Sequence, residues 1–168
     1  MLEEKGTTTL PQPKKSAPDE TPQGALTPET YLGKARLDRF ASNESAENRS
    51  KIYTHNSTIP LHSFAYAGSW KFYPEYAQPQ PKNTLTLHFR SQKVFLVITP
   101  LMKNQKIRVV LDGKVIVASD SRQDVHDGYV LLDKSRLYEL VKLSEVQEHT
   151  LRLEFETSDC EVFAFTFG

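Results

Sequence analysis

Leu85-Thr86-Leu87-His88-Phe89-Arg90, followed three residues later by Val94-Phe95-Leu96-Val97-Ile98, is the stretch that decides the fold. Its first half alternates apolar and polar side chains, the period of a strand with one face buried. Its second half is apolar on both sides, as in a strand covered on both faces. The same grammar extends outward in both directions. Ile107, Val109 and Leu111 alternate, Asp112-Gly113 follows, and Val115 and Val117 resume the pattern. Asp-Gly between two such runs marks a hairpin, because both turn residues need positive φ. Val130 and Leu132 follow Asp127-Gly128, Leu151, Leu153 and Phe155 form another run, and Phe163, Phe165 and Phe167 alternate at the end. With the run from Trp70 to Tyr73 and a partner near Phe64, the count is eight to ten strands over residues 52–168. Many short strands separated by turn signals predict an all-β, jelly-roll-like β-sandwich.

Two segments read as helical. Thr27-Pro28-Glu29-Thr30 carries an N-cap residue, a proline at the first helical position and an acid in the first turn. A short entry helix over 27–33 is predicted, closed by Gly33. Ser135 to Val141 puts Leu137, Leu140 and Val141 on one helical face, about two turns long. Upstream of both, Pro11, Pro13, Pro18 and Pro22 lie among Thr, Gln, Lys and Glu with few aliphatic side chains. Such a stretch buries too little apolar surface to offset ordering entropy. Residues 1–26 are therefore read as a flexible linker and residues 27–168 as the module.

Composition narrows the function classes. Basic and acidic residues number 21 each, for a net charge of zero. That balance argues against a nucleic-acid partner or an anionic membrane surface. No apolar run reaches the roughly 18 residues of a transmembrane span. Met1 to Gly6 is polar, so an export signal is expected on a longer precursor. Cys160 is the single cysteine, which excludes an internal disulfide and a CxxC redox or zinc site in this chain.

Several phrases, taken in order, resemble one known module. They are Thr27-Pro-Glu-Thr-Tyr-Leu-Gly33 with Arg36, Leu61, Gly68-Ser-Trp70, Leu87-His-Phe89 with Val94-Phe-Leu-Val97, and Leu111-Asp-Gly113. Asp124, Gly128, Arg136-Leu-Tyr-Glu-Leu-Val141 and the closing Phe163-Ala-Phe-Thr-Phe-Gly168 complete the set. Together they resemble the C-terminal, carbohydrate-binding-module-like domain of DipZ-like, thioredoxin-family proteins of the cytochrome c biogenesis type. The resemblance covers residues 27–168. It implies a jelly-roll sandwich attached to a periplasmic or extracytoplasmic thioredoxin-like domain. It implies no redox activity for this chain.

Sugar binding needs aromatic faces for the C–H side of a pyranose and fixed polar groups for its hydroxyls. Trp70 is either such a face or a core residue packing the two sheets. Tyr73 and Tyr76 flank Pro74 at a strand end, where they form a platform or simply pack the loop. His88 and Arg90 lie on the non-core face of their strand, with Arg108 and Asp112 on a neighbouring one, and surface charge explains them equally well. Tyr138, beside Arg136, completes the ligand-binding candidates.

Catalysis finds less support. His55, His62, His88, His126 and His149 show no HxH or HExxH spacing, so no metal is expected. Asp120 and Asp124 lack the spacing of a calcium loop. Phosphate loops and a nucleophile elbow are missing, and no cofactor is expected. Cys160, beside an apolar strand, reads as a small buried residue. The sequence thus predicts a non-catalytic, carbohydrate-binding-like accessory module that tethers an extracytoplasmic thiol-disulfide oxidoreductase. Its expected partners are an oligosaccharide or cell-envelope glycan and the attached thioredoxin-like domain. The alternative is a protein–protein interaction domain without sugar affinity, with a homodimer as one form.

Overall fold

The computed structural model describes residues 25–116, 124–157 and 159–168. Among them are eleven strands and no helix. In chain order these are β1 (Thr30–Tyr31), β2 (Lys51–Tyr53), β3 (Phe64–Phe72), β4 (Ala77–Pro79), β5 (Asn83–Pro100) and β6 (Gln105–Leu111). They continue with β7 (Lys114–Val115), β8 (Val125–His126), β9 (Tyr129–Leu132), β10 (Arg136–Phe155) and β11 (Cys160–Phe167). Hydrogen bonding runs in the order β1-β11-β4-β3-β5-β10-β6-β9-β8, with β2 added to β3 and β7 to β6, and every pairing between these strands is antiparallel.

Two long strands join the halves of this β-sandwich-like arrangement. The first half of β5 pairs with β3 (Phe64 opposite Leu87) and with the last part of β10 (Leu151 opposite Leu87). Its second half pairs with β11 (Phe165 opposite Leu96) and with the first part of β10 (Tyr138 opposite Leu96). The change of partner falls at Ser91 and Gln92. There the register of β10 slips between Lys142 and Gln147. Ser91, fully buried, places its hydroxyl 2.8 Å from the Lys93 carbonyl and 2.9 Å from that of Gly168.

Alternation decides which side chains enter the core. Thr30, Phe165, Leu96 and Tyr138 stand in one cross-strand row, and all four are buried. Beside it Phe64, Tyr66, Trp70 and Phe72 project from β3 with no exposed surface. Tyr66 and Trp70 stack at 4.0 Å, and Phe155 meets the indole edge-on at 5.3 Å. Their polar atoms are satisfied: the Tyr66 hydroxyl donates to the Leu32 carbonyl (3.1 Å) and the indole N–H to that of Ala67 (3.1 Å). Each such ring contributes about 1.5–3 kcal/mol by burial, and each aromatic pair about 0.5–1.5 kcal/mol more.

The two helical predictions are corrected. Residues 27–33 are extended and include β1. Thr27 does not cap a helix: its Oγ accepts the Arg90 N–H at 2.8 Å and lies 2.7 Å from His62 Nδ1. Ser135 to Val141 is mostly the start of β10. A register shift between Glu139 and Val141 buries Tyr138, Leu140 and Val141 together, and that spacing imitates a helical face. Leu137, assigned to the buried face, is 44% exposed. Residues 1–24 of the predicted linker (1–26) lie outside the described residues, as does Asp120. No helix among the described residues is long and apolar enough to cross a membrane.

Candidate binding surface

The alternation that sends Trp70 and Phe72 inward sends Lys71 and Tyr73 outward. After Tyr73 the chain reverses in a tight turn, with the Tyr73 N–H donating to the Tyr76 carbonyl at 2.8 Å. The turn brings two tyrosines three residues apart onto the same side, where they stack at 4.5 Å and 19°. The entry segment pins this turn from below. Lys34 N–H donates to the Tyr73 carbonyl (2.8 Å) and Ala35 N–H to that of Pro74 (2.9 Å). Gly33 is needed for this approach, since a Cβ there would lie 2.3 Å from the Glu75 carbonyl carbon.

Phe163 extends the stack. A register shift between Val162 and Ala164 of β11 leaves Phe163 part-exposed, with its ring 5.2 Å from that of Tyr76. On the other side the Lys71 ammonium stands 4.9 Å over the Tyr73 ring. Partial desolvation and the neighbouring Glu161 carboxylate, which bonds to the phenol, raise the Tyr76 hydroxyl above its ordinary range. The result is a half-exposed ladder, Lys71–Tyr73–Tyr76–Phe163, laid across β3, the turn and β11. Tyr76 occupies one face of Tyr73.

The remaining sequence-named residues lie elsewhere. Trp70 is wholly buried and offers no face to a ligand. Tyr138 is buried too, and its hydroxyl organises the β9–β10 turn: it accepts from the Asp133 N–H (3.0 Å) and lies 2.8 Å from Asp133 Oδ1 and 2.6 Å from the Lys134 carbonyl. His88 is held between the Ile59 carbonyl (2.7 Å) and Glu148 (2.6 Å). Arg90 keeps a buried Nε with no hydrogen-bond partner among the described residues. Arg108 lies 3.8 Å from Glu154, and Asp112 bonds to His149.

His88 on β5 and Arg108 on β6 are part-exposed, and Asp112 lies in the turn that follows β6. They neighbour charged partners and not the tyrosine ladder. Lys71 and Phe163 are the members that sequence reasoning did not name. Alternation from Trp70 would have found Lys71, whereas the shift that bares Phe163 leaves no mark on the sequence. Among the described residues no three His, Cys, Asp or Glu side chains converge to hold a metal ion.

The chain is 25% identical over 161 residues to Protein DipZ of Mycobacterium bovis and of Mycobacterium tuberculosis. The match takes in 95% of this chain and 21% of each relative, so the chain spans about a fifth of their length. Among solved structures, a family two carbohydrate esterase from Clostridium thermocellum in complex with cellohexaose superposes with a TM-score of 0.50. That match has 18% identity, over 63% of this chain and 31% of the esterase, and it is a likeness of fold. A family model described as a thioredoxin-like C-terminal domain matches residues 27–168, and the chain belongs to that family.

Proposed function

We propose that this domain is a non-catalytic, carbohydrate-binding-like accessory module of an extracytoplasmic thioredoxin-family thiol-disulfide oxidoreductase. It tethers the attached redox domain to a cell-envelope glycan. The observation that carries the reading is the half-exposed ladder of Tyr73, Tyr76 and Phe163, with the Lys71 ammonium over the Tyr73 ring. A pyranose docks its C–H face on Tyr73 once Lys71 moves aside, and the ammonium then meets a hydroxyl at the sugar's edge. Cys160 supports a non-redox role, because burial pushes its thiol up to about 12, leaving almost no thiolate at neutral pH. Weak binding suffices for tethering, since a linked module raises the local concentration of the attached enzyme at its target.

The test is calorimetric titration of the 168-residue chain with cello-oligosaccharides, N-acetylglucosamine oligomers and soluble peptidoglycan fragments. Saturable binding to one of them, lost in Tyr73→Ala, supports the reading; no heat from any sugar overturns it.

A specific observation favours a second reading, docking on another protein. Leu101, Met102, Leu131 and Leu137 are large apolar side chains, each at least 44% exposed. Leu137 also ends a cross-strand row with Val97, Ala164 and Tyr31 on the outer face of β10, β5, β11 and β1. Light scattering that reported a dimer, broken by Leu137→Glu, would give this reading precedence.

A further inference from the structure

Two irregularities in the sheet leave a cleft between them. One is the Asp112-Gly113 hairpin, whose residues take φ of 50° and 80° and return the chain from β6 to β7. The other is the register slip of β10, where Leu143 to Val146 have no ladder partner on β5 while Gln147 pairs with Ser91. Slips of this kind re-aim side chains and recur beside binding sites. The cleft has a volume of about 350 Å³, at the small end of ligand pockets.

Its walls divide by chemistry. Leu111, Val115, Ile116 and Leu143 supply an aliphatic floor. Asp112, Lys114, Gln147 and His149 supply the polar edge. Three of those four are already fixed to one another. Asp112 accepts the Thr150 N–H (2.8 Å) and bonds to His149 Nδ1, while His149 Nε2 lies 2.8 Å from the Gln147 amide oxygen. A polar group held by such a network loses little entropy when a ligand arrives. Lys114 remains exposed at the hairpin rim.

We infer that this cleft is a second carbohydrate subsite, built for one hexose-sized unit. Aliphatic lining beside donors and acceptors suits a pyranose, which has a C–H face and a hydroxyl edge. Asp112 and the Gln147 amide meet ring hydroxyls, His149 holds the two in place through its ring nitrogens, and Lys114 closes over the edge. The inference rests on the glycan reading above but uses other strands: the ladder lies on β3 and β11, the cleft on β6, β7 and β10. One chain thus holds two sugar contacts, an open platform for an internal unit and a half-open cleft for a single unit. Two linked weak contacts raise overall affinity well above either alone.

The test follows the histidine ring resonances of the full chain by two-dimensional NMR during titration with N-acetylglucosamine, its tetramer and cellohexaose. Lys114→Ala, His149→Gln and Tyr73→Ala are titrated in parallel, with circular dichroism to establish folding. The expected result is a saturable shift of His149, weakened about tenfold by Lys114→Ala and by His149→Gln (the latter read at neighbouring methyl groups), and retained in Tyr73→Ala. Binding that leaves His149 still and disappears only in Tyr73→Ala overturns the cleft and keeps the platform. A shift of His149 that Lys114→Ala and His149→Gln both leave unweakened also overturns it. No shift of His149 with any sugar, together with no heat in the calorimetric titration, overturns both readings.

Discussion

Trp70 lies face to face with Tyr66, ring centroids 4.0 Å apart at 28°, and neither ring has exposed surface. The only tryptophan of the chain is therefore a core probe. Its emission should be blue-shifted, shielded from acrylamide and unchanged by any sugar that binds at Tyr73. Trp70→Ala should destabilise the fold by about 3–5 kcal/mol in denaturant titrations, and Trp70→Phe by clearly less. A red, quenchable emission would contradict the packing.

Asp133 shows how the β9–β10 turn responds to acid. The Tyr138 hydroxyl and then the Arg136 guanidinium bond to its carboxylate and lower it to about 2. A depressed carboxylate contributes stability above its unfolded value of about 3.9, and that contribution is lost as pH falls towards 2. Asp133→Asn should melt below the wild type at pH 7, and the two curves should converge near pH 2. Thermal melts across that window check the sign. Because the carboxylate is solvent-exposed, the gap at pH 7 should be small.

What the sequence disclosed and what it hid follow from how local each determinant is. Period-two alternation in Leu85–Phe89 and Ile107–Leu111 depends only on neighbours, and both runs are strands. The Asp112-Gly113 and Asp127-Gly128 turns are equally local, and all four residues take positive φ. Thr27-Pro28 failed because its cap oxygen is used by Arg90, 63 residues away. Ser135–Val141 failed because a register shift rewrites the spacing of buried side chains, and shifts are set by the partner strand. The site divides in the same way. The Tyr73–Pro74–Tyr76 turn is short-range and was legible, whereas Phe163 reaches Tyr76 from the other end of the chain.

Cys160 gives a reactivity test. Burial first, then the Asp159 and Glu161 carboxylates, push its thiol up to about 12. It should resist a disulfide reagent at pH 8 in the folded protein and react at once in denaturant. A raised thiol contributes stability that is whole below the unfolded value of about 8.5 and is lost as pH climbs from there towards 12. Cys160→Ala should therefore lose less stability than the wild type between pH 9 and pH 11, measured as the slope of melting temperature against pH. Rapid labelling of the native protein at pH 8 would place the sulfur at the surface.

Gly33 and Gly113 separate packing from backbone freedom. A methyl group on Gly33 would lie 2.3 Å from the Glu75 carbonyl carbon, 2.4 Å from the Tyr76 nitrogen and 2.6 Å from the Pro74 oxygen. All three are backbone atoms, so no rotamer change relieves the overlap and the Tyr73–Tyr76 turn has to move. Gly33→Ala should cost about 1–3 kcal/mol and also weaken any glycan contact made through Tyr73. At Gly113 nothing lies within 4 Å, and the penalty comes from φ of +80° alone. Gly113→Ala should cost roughly 1 kcal/mol and leave the tyrosine ladder untouched. Denaturant melts give both stabilities, and tyrosine ring resonances report the ladder. If Gly33→Ala left those resonances in place, the entry segment would not be what positions the platform.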